Sequence, residues 1–279
     1  MMKQPFKQIP ADRFASKPNT ALGTRDATLR TIKGSVCSGS DRSGGQLRTQ
    51  SDCGNTAPQF ETVPQRVSLC IRILALGGAL GPALFTAVVS ACGALRPGYS
   101  HITQFISELG ATGTTHAALM NFAGFLPSGL FIAGFGIASV WLIPRSGRSI
   151  LAGGLVTLFG LGIALVGIFH CDSGCSQQGA FAPTIHDRVS IVAFVACIVG
   201  IGLWATHFRR TAAFRPLWKY SVVSSIAGLF FLCLLASSIE TRYLTGLWQR
   251  LMLGTLFLWC MVLGKRLLHQ GCRTEPSSQ

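Results

Sequence analysis

The sequence predicts an all-α, polytopic membrane protein with six transmembrane helices and both termini cytoplasmic. Three observations carry this prediction. Of the 279 residues, 49% are hydrophobic and only 12% are charged, about half the charged fraction of a typical soluble domain. From Leu69 onward, six long apolar runs follow one another with short polar joints between them. Basic residues then gather in alternate joints. Together with a mean hydropathy of +0.44, this composition excludes a disordered protein, a disulfide-stapled miniprotein and an ordinary soluble enzyme.

Residues 1–68 are polar and rich in Ser, Thr, Gly and Gln, with 10 Lys/Arg against 5 Asp/Glu. Such a segment cannot bury enough apolar area to offset the entropy of ordering it. It reads as a disordered, basic cytoplasmic tail. No apolar stretch follows its first positive charges, so it is not a signal peptide, and Asp12 and Asp26 argue against a transit peptide. A later start of translation, leaving part of the segment unmade, is an alternative. Residues 69–268 then form the membrane domain. Ile73–Leu95 carries no charge over 23 residues, Ala117–Ile143 none over 27, and Ser149–Phe169 none over 21. Val189–Thr206 gives 18 and Tyr220–Ile239 gives 20. The sixth run, Leu244–Gly264, is interrupted by Gln249 and Arg250. About 20 helical residues cross a hydrocarbon core, so each run suffices. Residues 269–279 are a C-terminal tail.

Orientation follows from where the basic residues lie. Arg66 and Arg72 flank the first span, Arg145 and Arg148 fill the 2–3 joint, and Arg209, Arg210, Arg215 and Lys219 fill the 4–5 joint. Lys265, Arg266 and Arg273 follow the last span. The other joints hold only Arg96, Arg188 and Arg242. These joints are predicted to face outward across the inner cell membrane. They also collect the polar chemistry: Glu108, Asp172, Asp187 and Glu240, with His101, His116, His170 and His186.

Within the 1–2 joint, Pro97-Gly98 makes a turn and Ser100 is an N-cap residue type. Ile102, Phe105, Ile106 and Leu109 fall at helical spacing, which predicts a short amphipathic helix ending at Gly110. His101, Gln104 and Glu108 would share its polar face. That face either lies in water at the interface or closes over the mouth of the bundle as part of a site.

The 3–4 joint runs Phe169-His170-Cys171-Asp172-Ser173-Gly174-Cys175 and then Ile185-His186-Asp187. Cys171 and Cys175 are candidates for a disulfide in an oxidising compartment, or remain free thiols. His170, Asp172 and His186 supply donor types that zinc takes, although the spacing is that of no standard finger or ribbon. No other cofactor is implied. Arg250, about two turns into the sixth span, is costly there unless it is paired or reaches water. It is either a structural ion pair with Glu240, Glu108, Asp172 or Asp187 or a snorkelling side chain, or else a clamp for a lipid phosphate or another anion.

Small residues such as Gly153-Gly154 and Gly160-Leu161-Gly162 suit close helix packing, and Pro82 and Pro127 are expected to kink the first two spans. Trp141, Trp204 and Trp218 fall near the interfaces. There is no phosphate-binding loop, GxSxG or HExxH, and the basic tail lacks the interleaved aromatics of a nucleic-acid binder. Membrane lipids are the partners this composition implies.

Two segments, Arg96–Gly113 (RPGYSHITQFISELGATG) and Phe169–Asp187 (FHCDSGC…HD), together with GLWQR before the sixth span, resemble the prokaryotic domain-of-unknown-function family 998. The resemblance covers about residues 70–267. It implies a six-helix integral membrane protein with no established activity. The Ile-Ser-Glu-Leu-Gly run is also similar to the Frag1/DRAM/Sfk1 family, whose members act in lipid remodelling or membrane organisation. The expectation is an outward-facing polar site near the bilayer surface that binds or organises lipid. Its candidate residues are Tyr99, Ser100, His101, Ser107, Glu108, His170, Asp172, His186, Asp187, Glu240 and Arg250. A metal-dependent hydrolase acting on a lipid, with a zinc or His/Asp pair activating water, is the alternative. A small-molecule transporter is the third reading, opposed by the scarcity of charge inside the spans.

Overall fold

A computed structural model of the chain describes residues 69–172 and 181–272, with side chains for all of them except 181–184 and 271–272. Contacts divide the chain into two units, Met1–Glu61 and Thr62–Gln279, and every described residue lies in the second. The expected disordered tail over 1–68 therefore lies outside the described residues.

The described residues are helical, with no strand among them. The helices are α1 (Leu69–Leu95), α2 (Leu126–Leu142), α3 (Gly147–Ile168), α4 (Phe181–Phe208), α5 (Trp218–Ser238) and α6 (Thr245–Cys272). A π-helical stretch, Leu119–Phe125, leads into α2, and a 3-10 stretch, Ala212–Leu217, leads into α5. Six helical segments are long and apolar enough to cross a membrane, matching the six apolar runs of the sequence. α6 continues past residue 268 to Cys272.

Short joints force antiparallel neighbours. Each helix packs on those adjacent in sequence, and α1 against α6 closes the ring. Gly129 and Gly160 let α2 and α3 touch backbone to backbone. A Cβ on Gly129 would meet Ala164 N, and one on Gly160 would meet Ala133 N. This is the close approach that small residues permit in lipid. In the middle of the bundle the Phe85 ring stands edge-on between Phe125 and Phe257, at 5.4 and 5.2 Å. Large apolar side chains such as Leu130, Val223, Ile226, Phe230 and Leu258 point outward, which only a hydrocarbon solvent accommodates over so wide a belt.

The joints are built from local chemistry. At the start of α3 a capping box closes the orphan donors: Ser149 N–H donates to Ser146 Oγ at 3.1 Å, and Ser146 N–H donates to Ser149 Oγ at 2.7 Å. Arg145 covers the Trp141 ring at 3.9 Å, anchoring the end of α2. Pro127 lacks an N–H and its ring would crowd the Ala123 carbonyl. The wider π turns immediately before it absorb that misfit.

Candidate functional site

The 1–2, 3–4 and 5–6 joints meet at one end of the bundle, hereafter the cap. Its centre is the segment Arg96–Gly113. The amphipathic helix expected there does not form. A single turn spans 101–103, the next regular element is the 3-10 turn Ser107–Leu109, and Ile102, expected on the apolar face, is exposed. Ser100 does cap the first turn, its Oγ accepting from Ile102 and Thr103 N–H at 3.3 Å each.

The helix fails because side chains, three of the segment itself and one of α6, take its backbone groups. Buried Ile106 N–H donates to Gln249 Oε1 at 2.7 Å, and Phe105 N–H donates to Glu108 Oε1 at 3.2 Å. The Phe105 carbonyl accepts from Tyr99 OH at 2.9 Å, and that of Glu108 from Arg96 Nη1 at 2.7 Å. Leu247 N–H, in the first turn of α6, donates to the Ile102 carbonyl at 2.9 Å. The segment is thus strapped across the start of α6. Only Gly246 allows this approach, since a Cβ there would meet the Gln104 and His101 carbonyls.

Glu108 is the hub of the strap. Its side chain is 5% exposed and pairs with Arg242 at 2.9 Å. Its other oxygen accepts from Gln104 Nε2 at 3.0 Å, while Gln104 Oε1 accepts from Ser100 N–H at 2.8 Å. Arg242, a joint residue whose sequence position speaks only to topology, is therefore the acid's partner. It takes a left-handed backbone (φ 55°) in the tight 5–6 joint and covers the Phe105 ring at 4.7 Å.

Arg250 makes none of the ion pairs proposed for it among the described residues. Its guanidinium donates to the Gln104 and Gly246 carbonyls at 3.1 and 2.9 Å, and to Tyr99 OH at 2.6 Å. A carbonyl of the irregular strap and one in the first turn of α6, with the Tyr99 hydroxyl, stand where charge logic sought an acid. Tyr99 accepts from Arg250 and donates to Phe105, a role that requires the phenol proton. Burial, the larger effect, holds its pKa above the ordinary range against the pull of Arg250. His101 is exposed, edge-on to Tyr99 at 5.1 Å. Desolvation, then the charge of Arg250, push its pKa below the usual imidazole range.

A second group lies beside the strap. His186, at the start of the α4 span, is buried with Nδ1 3.0 Å from the Phe169 carbonyl. Thr112 N–H donates to the Cys171 carbonyl at 3.0 Å, joining the 1–2 and 3–4 joints. Cys171 is disulfide-bonded; Cys175, its expected partner, lies outside the described residues. His170 and Asp172 are half-buried in the same joint. Among the described residues, no three His, Cys, Asp or Glu side chains, His170, Asp172 and His186 included, come together to hold a metal ion. Asn121, within the π stretch, donates from Nδ2 to the Gly110 carbonyl at 2.9 Å and ties α2 to the cap.

Between the cap ends of α4 and α5 runs a groove of about 520 Å³. Ile191, Phe194, Leu232, Leu235 and Ile239 form its apolar walls. His186, Asp187, Glu240 and Arg242 line its polar end, with Ser107 and Phe105 of the strap above. Ile191 is 59% exposed, so the groove opens sideways, toward where lipid would lie. At its inner wall Ser107, His186, Ser190, Phe194 and Gln249 separate it from a cavity of about 30 Å³ inside the bundle, room for roughly a water or two.

The sequence-predicted residues therefore divide. Tyr99, Ser100, His101, Glu108 and Arg250 belong to the strap, and His186, Asp187 and Glu240 to the groove; Ser107 touches both. Residues 79–266 match the family described as "Protein of unknown function (DUF998)". No curated protein and no solved structure matches the chain.

Proposed function

The chain belongs to the DUF998 family of proteins of unknown function, and from the geometry at its cap we propose that it binds a membrane lipid in the groove between α4 and α5. The observation that carries this reading is the groove's own polarity. It is apolar along the two helices and polar only where they reach the cap. An amphiphile has that same sequence of chemistry from chain to headgroup. The volume lies within the about 300–1,000 Å³ of small-molecule sites. It takes a headgroup and the first part of an acyl chain, the rest of the lipid staying in the bilayer.

The strap supports this use. Glu108 and Gln249 hold the roof of the groove through bonds to its backbone, Arg242 braces the Glu108 carboxylate, and a roof fixed in this way keeps the polar end preorganised. Arg250 is not among the groove's lining residues and its donors serve the strap, so a phosphate clamp at Arg250 forms no part of the proposal. The asymmetry of basic residues supports placing the cap outward and the termini in the cytoplasm, across the inner cell membrane.

The test is lipid retention. Ala236 lines the groove from an exposed position on α5, so Ala236→Trp fills it without entering the core. Full-length protein purified from native membranes in mild detergent should carry lipid that the Trp variant has lost. Equal lipid on both would overturn the proposal.

A further inference from the structure

Resting on the reading of the groove as a lipid site, we infer that it selects a headgroup bearing a primary ammonium, as in an ethanolamine phospholipid. The polar end is rich in hydrogen-bond acceptors and in negative charge. Asp187 and Glu240 both line it, and neither makes a hydrogen bond or ion pair among the described residues. Arg242, the cation among the lining residues, is already paired with Glu108 at 2.9 Å. Two carboxylates thus face the groove, and among the described residues that line it no other cation balances them.

His186 adds an independent observation. It is 5% exposed, yet it lines both the groove and the small cavity behind it. Its Nδ1 lies 3.0 Å from the Phe169 carbonyl. A carbonyl only accepts, so Nδ1 carries the proton, and in the neutral ring Nε2 is left as a bare acceptor. No hydrogen bond to Nε2 forms among the described residues. A buried imidazole acceptor beside two carboxylates calls for a donor-rich cation.

Headgroup chemistry then discriminates. A primary ammonium presents three N–H donors and a positive charge. A choline headgroup has the charge but no N–H. A glycerol headgroup brings the phosphate's negative charge with no cation, and meets repulsion from Asp187 and Glu240. The apolar walls commit the occupant to a lipid rather than a free amine, since a free amine gains nothing from Phe194 or Leu232.

The experiment is competition by native mass spectrometry on the full chain in detergent, with dioleoyl phosphatidylethanolamine, phosphatidylcholine and phosphatidylglycerol at equal concentration. A screened carboxylate–ammonium contact contributes on the order of a factor of five, and that preference for the ethanolamine lipid is expected. Asp187→Asn with Glu240→Gln should reduce it to parity, and Glu240→Lys alone should move it toward the glycerol lipid. Free phosphoethanolamine in excess should not compete. Preference for the choline or glycerol lipid, lost in Ala236→Trp, would overturn the headgroup inference and leave the groove reading standing. An ethanolamine preference unchanged by the carboxylate variants would place it elsewhere and overturn the inference. No preference, with adducts indifferent to Ala236→Trp, would overturn both. Displacement by phosphoethanolamine would show an amine site without lipid selectivity and overturn the inference as stated.

Discussion

Replacing Glu108 by Gln keeps the shape of the side chain and removes the chemistry that holds the strap. The carboxylate accepts from Arg242, Phe105 N–H and Gln104 Nε2. An amide can keep its oxygen toward Arg242 and Phe105, but its –NH₂ then faces the Gln104 donor. Gln104 cannot turn its oxygen to answer, because that oxygen already accepts from Ser100 N–H. A donor is left against a donor in a nearly buried position, which costs about 2 kcal/mol. The Coulombic share is smaller. Arg242 is 41% exposed on its side chain, so solvent screens the pair and leaves about 1 kcal/mol. Thermal unfolding in detergent should therefore drop clearly for Glu108→Gln, with hydrogen exchange rising selectively over residues 96–113. In a double-mutant cycle with Arg242→Gln the pair should couple by about 1 kcal/mol. Wild-type unfolding and unchanged exchange in Glu108→Gln would refute the hub.

Three further outcomes follow from the same geometry. Gly246→Ala puts a Cβ against the Gln104 and His101 carbonyls and should cost about 1–3 kcal/mol; a variant as stable as wild type would show that the strap does not press on α6. His101 is held below the ordinary imidazole range by desolvation and then by Arg250, so the unfolded chain protonates first as pH falls through about 6.5. Stability should decline on acidification, less so in His101→Gln, and NMR titration should show the His101 pKa rising in Arg250→Gln; a pKa unmoved by that change would contradict the share assigned to Arg250. Reporter fusions at Gly113 should read outside and those at Gly147 inside, and the reverse pattern would invert the proposed orientation.

The six spans were legible because crossing a bilayer is a matter of length and apolarity, both written locally in the chain. The cap was less so. Periodicity placed a helix over 102–109, but Ile106 N–H is taken by Gln249 and the Gln104 carbonyl by Arg250, residues that follow far along the chain. Local spacing carries no record of such partners. The cost of Arg250 inside a span is legible in sequence, but its partners are carbonyls and a phenol, whereas only charged partners are visible there. Arg242 could have been found by asking which outer basic residue was left for Glu108. Gln249 carried a signal as well, being an amide inside an apolar run. The groove had none, since its lining comes from α4, α5, α6 and two joints rather than from any motif.

Photo-crosslinking tests the lipid-groove account most directly. Protein reconstituted in vesicles containing a phospholipid with a diazirine high on its acyl chain would be irradiated and its peptides mapped. Adducts should concentrate on Phe194, Leu232 and Ala236, and those on Phe194 and Leu232 should be lost in Ala236→Trp. Adducts spread evenly over outward positions such as Leu130, Val223 and Leu258, with no enrichment at the groove, would contradict it.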